Sequence, residues 1–251
     1  MKNYISGKRV IVTGGTGGIG REVVTLLADA GAHVLSASID SAEKRTALTQ
    51  TTGAEAIDLD VTDRDAVMAA LEPFRADTLI NASGALGQTG TLFDQPADSA
   101  QRLVDVNILG VQNCLQAVVP GMIERNDGHV VLIGSIALYP SLAQPIYSAT
   151  KAAVHSMAFN LRMECYPASV RVTEYRPGRV RTGMHAEMFG GSHEEANRRV
   201  YDPVETMSAA EAAEGIVWAL NQPPHLCVSQ LEVLATEHVV GGVRYKGMPG
   251  N

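Results

Sequence analysis

Short runs of apolar and β-branched residues alternate with amphipathic stretches along almost the whole chain, and no other pattern restricts the fold as tightly. The runs at 9–13, 33–38, 54–59, 77–83, 129–135, 170–175 and 231–235 read as strands, and the stretches 19–30, 42–51, 64–71, 101–119, 145–165 and 209–222 as helices. The first and fifth strands, RVIVT and HVVLIGS, are apolar on both faces, as parallel strands covered by helices on each side must be. Gly31 and Gly53 follow helices where a left-handed residue closes the last turn, and Ser41 and Thr62 stand where helix N-caps belong. The order βαβαβα followed by βαβαβ implies an α/β chain with a three-layer, doubly wound parallel sheet and ligands at the carboxyl ends of its strands. No repeat, low-complexity tract or long linker interrupts the 251 residues, so 1–251 is expected to be a single domain.

One stretch breaks the alternation. Residues 183–203, GMHAEMFGGSHEEANRRVYDP, are polar, carry a Gly-Gly pair and follow the sixth strand, which marks them as a substrate lid. Net charge −7 with a pI near 5.5 argues against nucleic-acid partners, since the densest positive cluster is only Arg176, Arg179 and Arg181. The first residues, MKNYISGKRV, lack the apolar core of a leader, and no apolar run reaches the ~18 residues of a membrane span, so a cytoplasmic protein is expected. Cys114, Cys165 and Cys227 are too scattered for a disulfide framework and read as buried reduced thiols, while the seven histidines form no metal-binding spacing.

Between the first strand and the helix at residue 19 lies TGGTGGIG, residues 13–20. Missing side chains let backbone approach a pyrophosphate, and the helix N-terminus offers free N–H groups, so strand, turn and helix together form a Rossmann-like nucleotide site. The spacing fits two frames: Gly15, Gly17 and Gly20, or Gly14, Gly18 and Gly20. The second strand ends near Ser38 and continues into Ile39 and Asp40, so its acid falls about two positions late for a ribose hydroxyl. Neutral Ser38 tolerates a 2′-phosphate that Lys44 or Arg45 can reach. The cofactor is therefore NAD(P), with NADP modestly favoured.

In YSATK, Tyr147 and Lys151 stand at i, i+4 on one helical face. An ammonium beside a phenol favours the phenolate, which lets tyrosine exchange a proton with an alcohol or carbonyl near neutral pH. Ser135 closes the fifth strand and is placed to orient a substrate oxygen. Asn107 sits within the helical stretch VDVNILG, as a buried amide.

With these residues the chain resembles the short-chain dehydrogenase/reductase family over nearly its full length. TGGTGGIG, Asp60-Val61, NASG at 81–84, Asn107, Ser135, YSATK and PGRVRT at 177–182 stand in the family's order. The resemblance selects Gly14, Gly18 and Gly20 as the cofactor turn and leaves Gly15 and Gly17 as permissive positions. It also implies that Gly17 occupies a site where many NADP enzymes carry a basic side chain. By the same resemblance Tyr147 is the general acid/base, Lys151 lowers its pKa and bonds the nicotinamide ribose, Ser135 holds the substrate oxygen and Asn107 anchors a water leading to solvent. The implied cofactor contacts are Gly14, Thr16, Gly17, Gly18, Ile19, Gly20, Ser38, Ile39, Asp60, Val61, Asn81, Ala82, Ser83 and Gly84, then Tyr147, Lys151, Pro177, Gly178, Val180 and Thr182. Residues 209–238 further resemble the subgroup with NADP-dependent serine and 3-hydroxy acid dehydrogenases.

That resemblance implies a hydride transfer between the nicotinamide and a small alcohol or ketone, with a 3-hydroxy acid as one candidate. Arg179 or Arg181 would then meet a carboxylate. The pocket wall, Leu86, Ile136, Leu138, Pro145 and Ile146, equally suits a 3-oxoacyl thioester or a cyclic ketone. A non-catalytic nucleotide sensor on the same fold is the alternative of another class. The helices at 101–119 and 145–165 resemble those through which family members form dimers and tetramers, implying a homo-oligomer.

Overall fold

A computed structural model describes residues 3–139, 144–239 and 242–243. In chain order these form β1 (Arg9–Thr13), α1 (Gly18–Asp29), β2 (His33–Ser38), α2 (Ala42–Thr52), β3 (Glu55–Asp58), α3 (Arg64–Leu71), β4 (Thr78–Asn81), α4 (Ala97–Val104) and α5 (Gly110–Arg125). There follow β5 (Gly128–Ile133), α6 (Pro145–Glu164), β6 (Val170–Pro177), β7 (Val180–Arg181), α7 (His193–Ala196), β8 (Met207–Ser208), α8 (Ala209–Leu220) and β9 (Gln230–Val233). Seven strands pair in the order β3-β2-β1-β4-β5-β6-β9, every pairing parallel. The order reverses between β1 and β4, and that switch point opens a crevice at the strands' carboxyl ends.

The period-2 pattern of the strands builds two cores. Ile11, Leu35, Leu79, Val130 and Leu132 face α3, α5 and α6, burying Val67, Val111, Val154 and Leu161. Val10, Val12, Ile80 and Val131 face the other way and pack against Val23 and Leu27 of α1 and Ile216 and Leu220 of α8. Helices cover both faces of the inner strands, so β1, β4 and β5 are buried along nearly their whole length, whereas the edge strands β3 and β9 are partly exposed. The three-layer single domain expected from the sequence is the observed fold.

Several boundaries differ from the sequence reading. The fourth and fifth strands end two residues early, because the chain turns outward at Ala82 and at Gly134 to form the crevice. The helix expected at 101–119 runs over 97–125 and is divided by a π-turn at Asp105–Leu109. By length and composition it is apolar enough to cross a bilayer, against the sequence reading, yet half of its apolar window is buried as a core helix. Ser41 caps α2 as expected, accepting from Lys44 N, and Gly53 closes it at φ 73°. At α3 the cap is Asp63, which accepts from Ala66 N at 3.0 Å, not Thr62, whose N–H and hydroxyl both donate to Asp60. Cys114 and Cys165 are buried, whereas Cys227 is exposed, because it lies in the open connection before β9.

Candidate active site

The crevice residues descend from three places in the chain. Tyr147 is the third residue of α6, where the unbonded N–H groups of a first turn favour an anion, and Lys151 follows one turn later on the same face. Both are buried. Lys151 Nζ donates to Ile133 O at 2.8 Å and lies 5.7 Å from the Tyr147 ring centroid. Two residues beyond β5, Ser135 caps the short turn Ile136–Leu138 through a 3.0 Å bond from Ala137 N. Asn107 lies in the π-turn, 1% exposed; its amide donates to Ala85 O at 2.9 Å and Thr150 Oγ1 at 3.1 Å and accepts from Ala85 N at 2.8 Å. π-turns of this kind recur where a helix must aim a group into a site.

The electrostatics depart from the simple expectation for a Tyr–Lys pair. Burial pushes the Tyr147 phenol up to about 12; the Ser135 hydroxyl pulls it down, and the Glu187 carboxylate adds to the rise. Burial also draws Lys151 down to about 8, opposed by Glu174. In the protein alone, then, the phenol holds its proton and Lys151 has not lowered it, because the ammonium is turned to the Ile133 carbonyl.

The glycine turn fits a pyrophosphate. Gly14 adopts φ +67°, and a Cβ there would stand 2.9 Å from Ala82 O and Ser83 N. Gly20 has no room for a side chain against Gly14, and a Cβ on Gly18 would meet Thr182 at 2.8 Å. No side chain caps α1, so its first N–H groups face the turn unbonded. Gly15 is not permissive, since its Cβ would lie 2.5 Å from Ser36 Oγ, whereas Gly17 is open, with only Asp40 Oδ2 within 3.9 Å. Around this turn Thr13 Oγ1 donates to Asn81 and accepts from Ser83 N, while Gly178 N binds Val233 O beyond Pro177. Buried Val61 accepts from Asn113 Nδ2 at 2.9 Å, and Val180 is buried against Met207 in the β7–β8 pair.

At the adenosine end Thr16 Oγ1 lies 2.8 Å from Ser38 Oγ and donates to Asp40 Oδ2 at 2.5 Å. Lys44 binds the other Asp40 oxygen at 2.7 Å, and Arg45 reaches the Asp40 carbonyl and, at 3.2 Å, Asp58. Burial raises the Asp40 carboxyl, but the bonds from Lys44 and Thr16 and the charge of Arg45 outweigh it and keep it ionised. Ile39, beside it, points outward and is 60% exposed.

Residues 183–203 fold into the turn Met184–Phe189, α7 and a π-turn at Asn197–Tyr201, knit by Ala186, Ala196, Val200 and Tyr201. Met184 and Met188 pack with Leu86, Ile146 and Tyr147. Glu187 Oε2 accepts from Leu86 N at 3.1 Å and Gly87 N at 3.2 Å, which fastens the segment to the loop after β4. Arg179 donates to Val200 O at 2.9 Å, and Arg181 to Asp202 and Asn197, so both arginines bind this segment.

The sequence pattern of the short chain dehydrogenase family matches residues 8–192. The chain belongs to that family. The enzyme is thus an NAD(P)-dependent oxidoreductase acting on CH–OH groups. Over 235 residues it is 34% identical to an uncharacterized short-chain type dehydrogenase/reductase of Sinorhizobium fredii, covering 93% of this chain and 94% of that one. The solved structure of a serine dehydrogenase in its closed form with NADP+ superposes at a TM-score of 0.88 and 29% identity, covering 96% of this chain and 100% of the other. A 3-oxoacyl-(acyl-carrier protein) reductase from Brucella melitensis gives 0.79 at 26% identity, over 92% and 91% of the two chains.

In this dehydrogenase the fold gathers Ser135, Tyr147 and Lys151 into one buried cluster, with Asn107 tied to the Ala85 loop beside it. Sequence reasoning missed Glu187, which meets Leu86 and Gly87 across a hundred positions of chain with no spacing to signal it. It also undervalued Asp40, whose late position is corrected by the bend after β2 that returns its carboxylate to Gly17.

Proposed function

We propose that the dehydrogenase moves a hydride between the nicotinamide of NAD(P) and a small alcohol or ketone, with Tyr147 exchanging the proton. The observation that carries this reading is the Tyr147 phenol, buried between the Ser135 hydroxyl and the Lys151 side chain at the carboxyl end of β5. When bound, the cofactor supplies the hydride and, in its oxidised form, a positive ring that favours phenolate. The turn at Gly14, Gly18 and Gly20 would hold the pyrophosphate, with Pro177, Gly178, Val180 and Thr182 flanking the nicotinamide end and Asp60, Val61 and Asn81 to Gly84 the adenosine end. Ser135 would then fix the substrate oxygen against Tyr147, which donates its proton during reduction and recovers one during oxidation. Lys151 would leave the Ile133 carbonyl for the ribose and lower the phenol from its resting value. The Asn107 side chain is committed to Ala85 and Thr150, so any water link to solvent falls to its main chain.

The favoured cofactor is NADP, supported by the open space at Gly17 and by Lys44 and Arg45, whose cationic groups already converge on Asp40. Asp40 itself opposes a 2′-phosphate and keeps the preference modest. Residues 183–203 serve as the substrate lid, a reading supported by Met184, Met188 and Glu187 at the Tyr147 pocket. The substrate reading favoured is a 3-hydroxy acid, in line with the likeness to serine dehydrogenase. The apolar wall of Leu86, Ile146, Met184 and Met188 supports a 3-oxoacyl substrate as the second reading.

A panel of alcohols and ketones followed at the nicotinamide absorbance with NADH and NADPH side by side tests the proposal. Turnover on at least one member is expected. Tight nucleotide binding with no turnover on any would favour a sensor. Arg179→Met should raise KM for carboxylate substrates alone if it meets the acid, and an equal loss on neutral ketones would end that assignment.

A further inference from the structure

The face of α6 that carries Tyr147 and Lys151 continues one turn further to His155, and beneath it lies Glu174 of β6. Among the described residues Glu174 is the one fully buried acid. His155 Nδ1 lies 2.7 Å from Glu174 Oε2, and Gln230 Nε2 donates to the same oxygen at 3.4 Å. The other oxygen, Oε1, is buried with no hydrogen-bond partner among the described residues. It sits 2.8 Å from where a Cβ on Gly134 would stand, so only a glycine leaves it space beside the strand end. Gly134 follows Ile133, the residue whose carbonyl receives Lys151 Nζ. A carboxylate taken out of water with one oxygen unsatisfied is costly unless a nearby charge compensates it. The other charged groups around it make contacts of their own, although the Nε atoms of Arg162 and Arg176 are buried without a hydrogen-bond partner among the described residues. Arg176 turns to Glu232 at 3.4 Å, Arg162 donates to the Val172 and Ser229 carbonyls, and Glu187 stands on the Tyr147 side.

We propose that Glu174 is a positioning residue for the reaction: its carboxylate, oriented by His155, is the buried counter-charge that keeps the Lys151 ammonium protonated beside Tyr147. Burial alone would strip Lys151 of its proton well within the working range of such an enzyme, and Glu174 is the group that opposes this loss. A neutral Lys151 would have no charge with which to favour the phenolate. The inference rests on the catalytic reading of Tyr147 and Lys151 given above.

The test reads Lys151 directly. The chain has five lysines, and in holoenzyme carrying 13Cε-lysine the Lys151 signal is assigned by its loss in Lys151→Arg. With NADPH bound, Glu174→Gln should lower the Lys151 titration midpoint by about one pH unit, while Glu174→Asp should keep it near the parent value. The alkaline limb of kcat/KM for ketone reduction should move down by the same amount, with the NADPH Kd near neutral pH unchanged. A folded Glu174→Gln enzyme whose Lys151 midpoint does not move would overturn the proposal. Should both variants fail to fold, His155→Ala, which removes the group that orients the carboxylate, still decides: it should lower the Lys151 midpoint too, and an unmoved midpoint overturns the proposal. Turnover that survives Tyr147→Phe would refute the catalytic reading instead, and would leave the Lys151 midpoint shift intact.

Discussion

Asp40→Ala should tilt cofactor use strongly toward NADPH. The carboxylate lies over Gly17, held by Thr16 and Lys44, where an adenosine ribose would extend its 2′ substituent. Two like charges ~4 Å apart repel by about 4 kcal/mol at an effective dielectric of 20. Asp40 keeps 31% of its side chain exposed and already shares charge with Lys44, so roughly half of that survives, about 2 kcal/mol or some thirtyfold in binding. For NADH the substitution removes a charged acceptor for the 2′-hydroxyl, worth about 1.5–3 kcal/mol before water replaces it, or roughly tenfold. The ratio of kcat/KM for NADPH over NADH should therefore rise by about two orders of magnitude, measured at saturating ketone with both cofactors. Lys44→Ala and Arg45→Ala should lower the NADPH value and spare the NADH value. An Asp40→Ala enzyme that loses activity equally with both cofactors, at unchanged thermal stability, would refute the reasoning.

Two further outcomes follow from packing and titration. Burial, aided by the charge of Arg171, drives His129 down to about 3, so the native state keeps it neutral while the unfolded chain binds a proton near pH 6.5. Its contribution to stability is present above that pH and lost as pH falls toward about 3, amounting to about 2 kcal/mol at pH 5. Thermal melts at pH 5 and pH 7.5 should show a smaller acid loss in His129→Gln than in the parent, and parallel losses would contradict the assignment. Gly15→Ala should destabilise the domain by roughly 1–3 kcal/mol through the Ser36 clash, whereas Gly17→Ser, which faces open space and can cap α1, should melt within a few degrees of the parent. Equal losses in the two variants would show that the tightness at Gly15 is not real.

What was legible depended on whether the cause was local. The parallel order could be read because Val10, Ile11 and Val12 must each find a buried face, and that demand is written in adjacent residues. Tyr147 and Lys151 could be paired because one helical turn separates them. Asn107 was legible as a helical amide, but the π-turn that aims it depends on the contact with Ala85, made twenty-two positions away. Glu174 carried no signal in the sequence, because its burial depends on β9, which pairs beside it at Gln230 from fifty-six positions away. Glu187 and Asp40 were obscured for the same reason, since a loop bend decides where each carboxylate points.

The most direct test of the catalytic reading is Tyr147→Phe, which removes one hydroxyl from a site where the ring is already packed against Leu86 and Met184. Turnover should fall by about 10²–10⁴-fold, the usual share of a general acid, with the dissociation constants of NADH and NADPH nearly unchanged. Steady-state turnover within a few fold of the parent would mean that another group moves the proton, and the account given for Tyr147, Ser135 and Lys151 would be wrong.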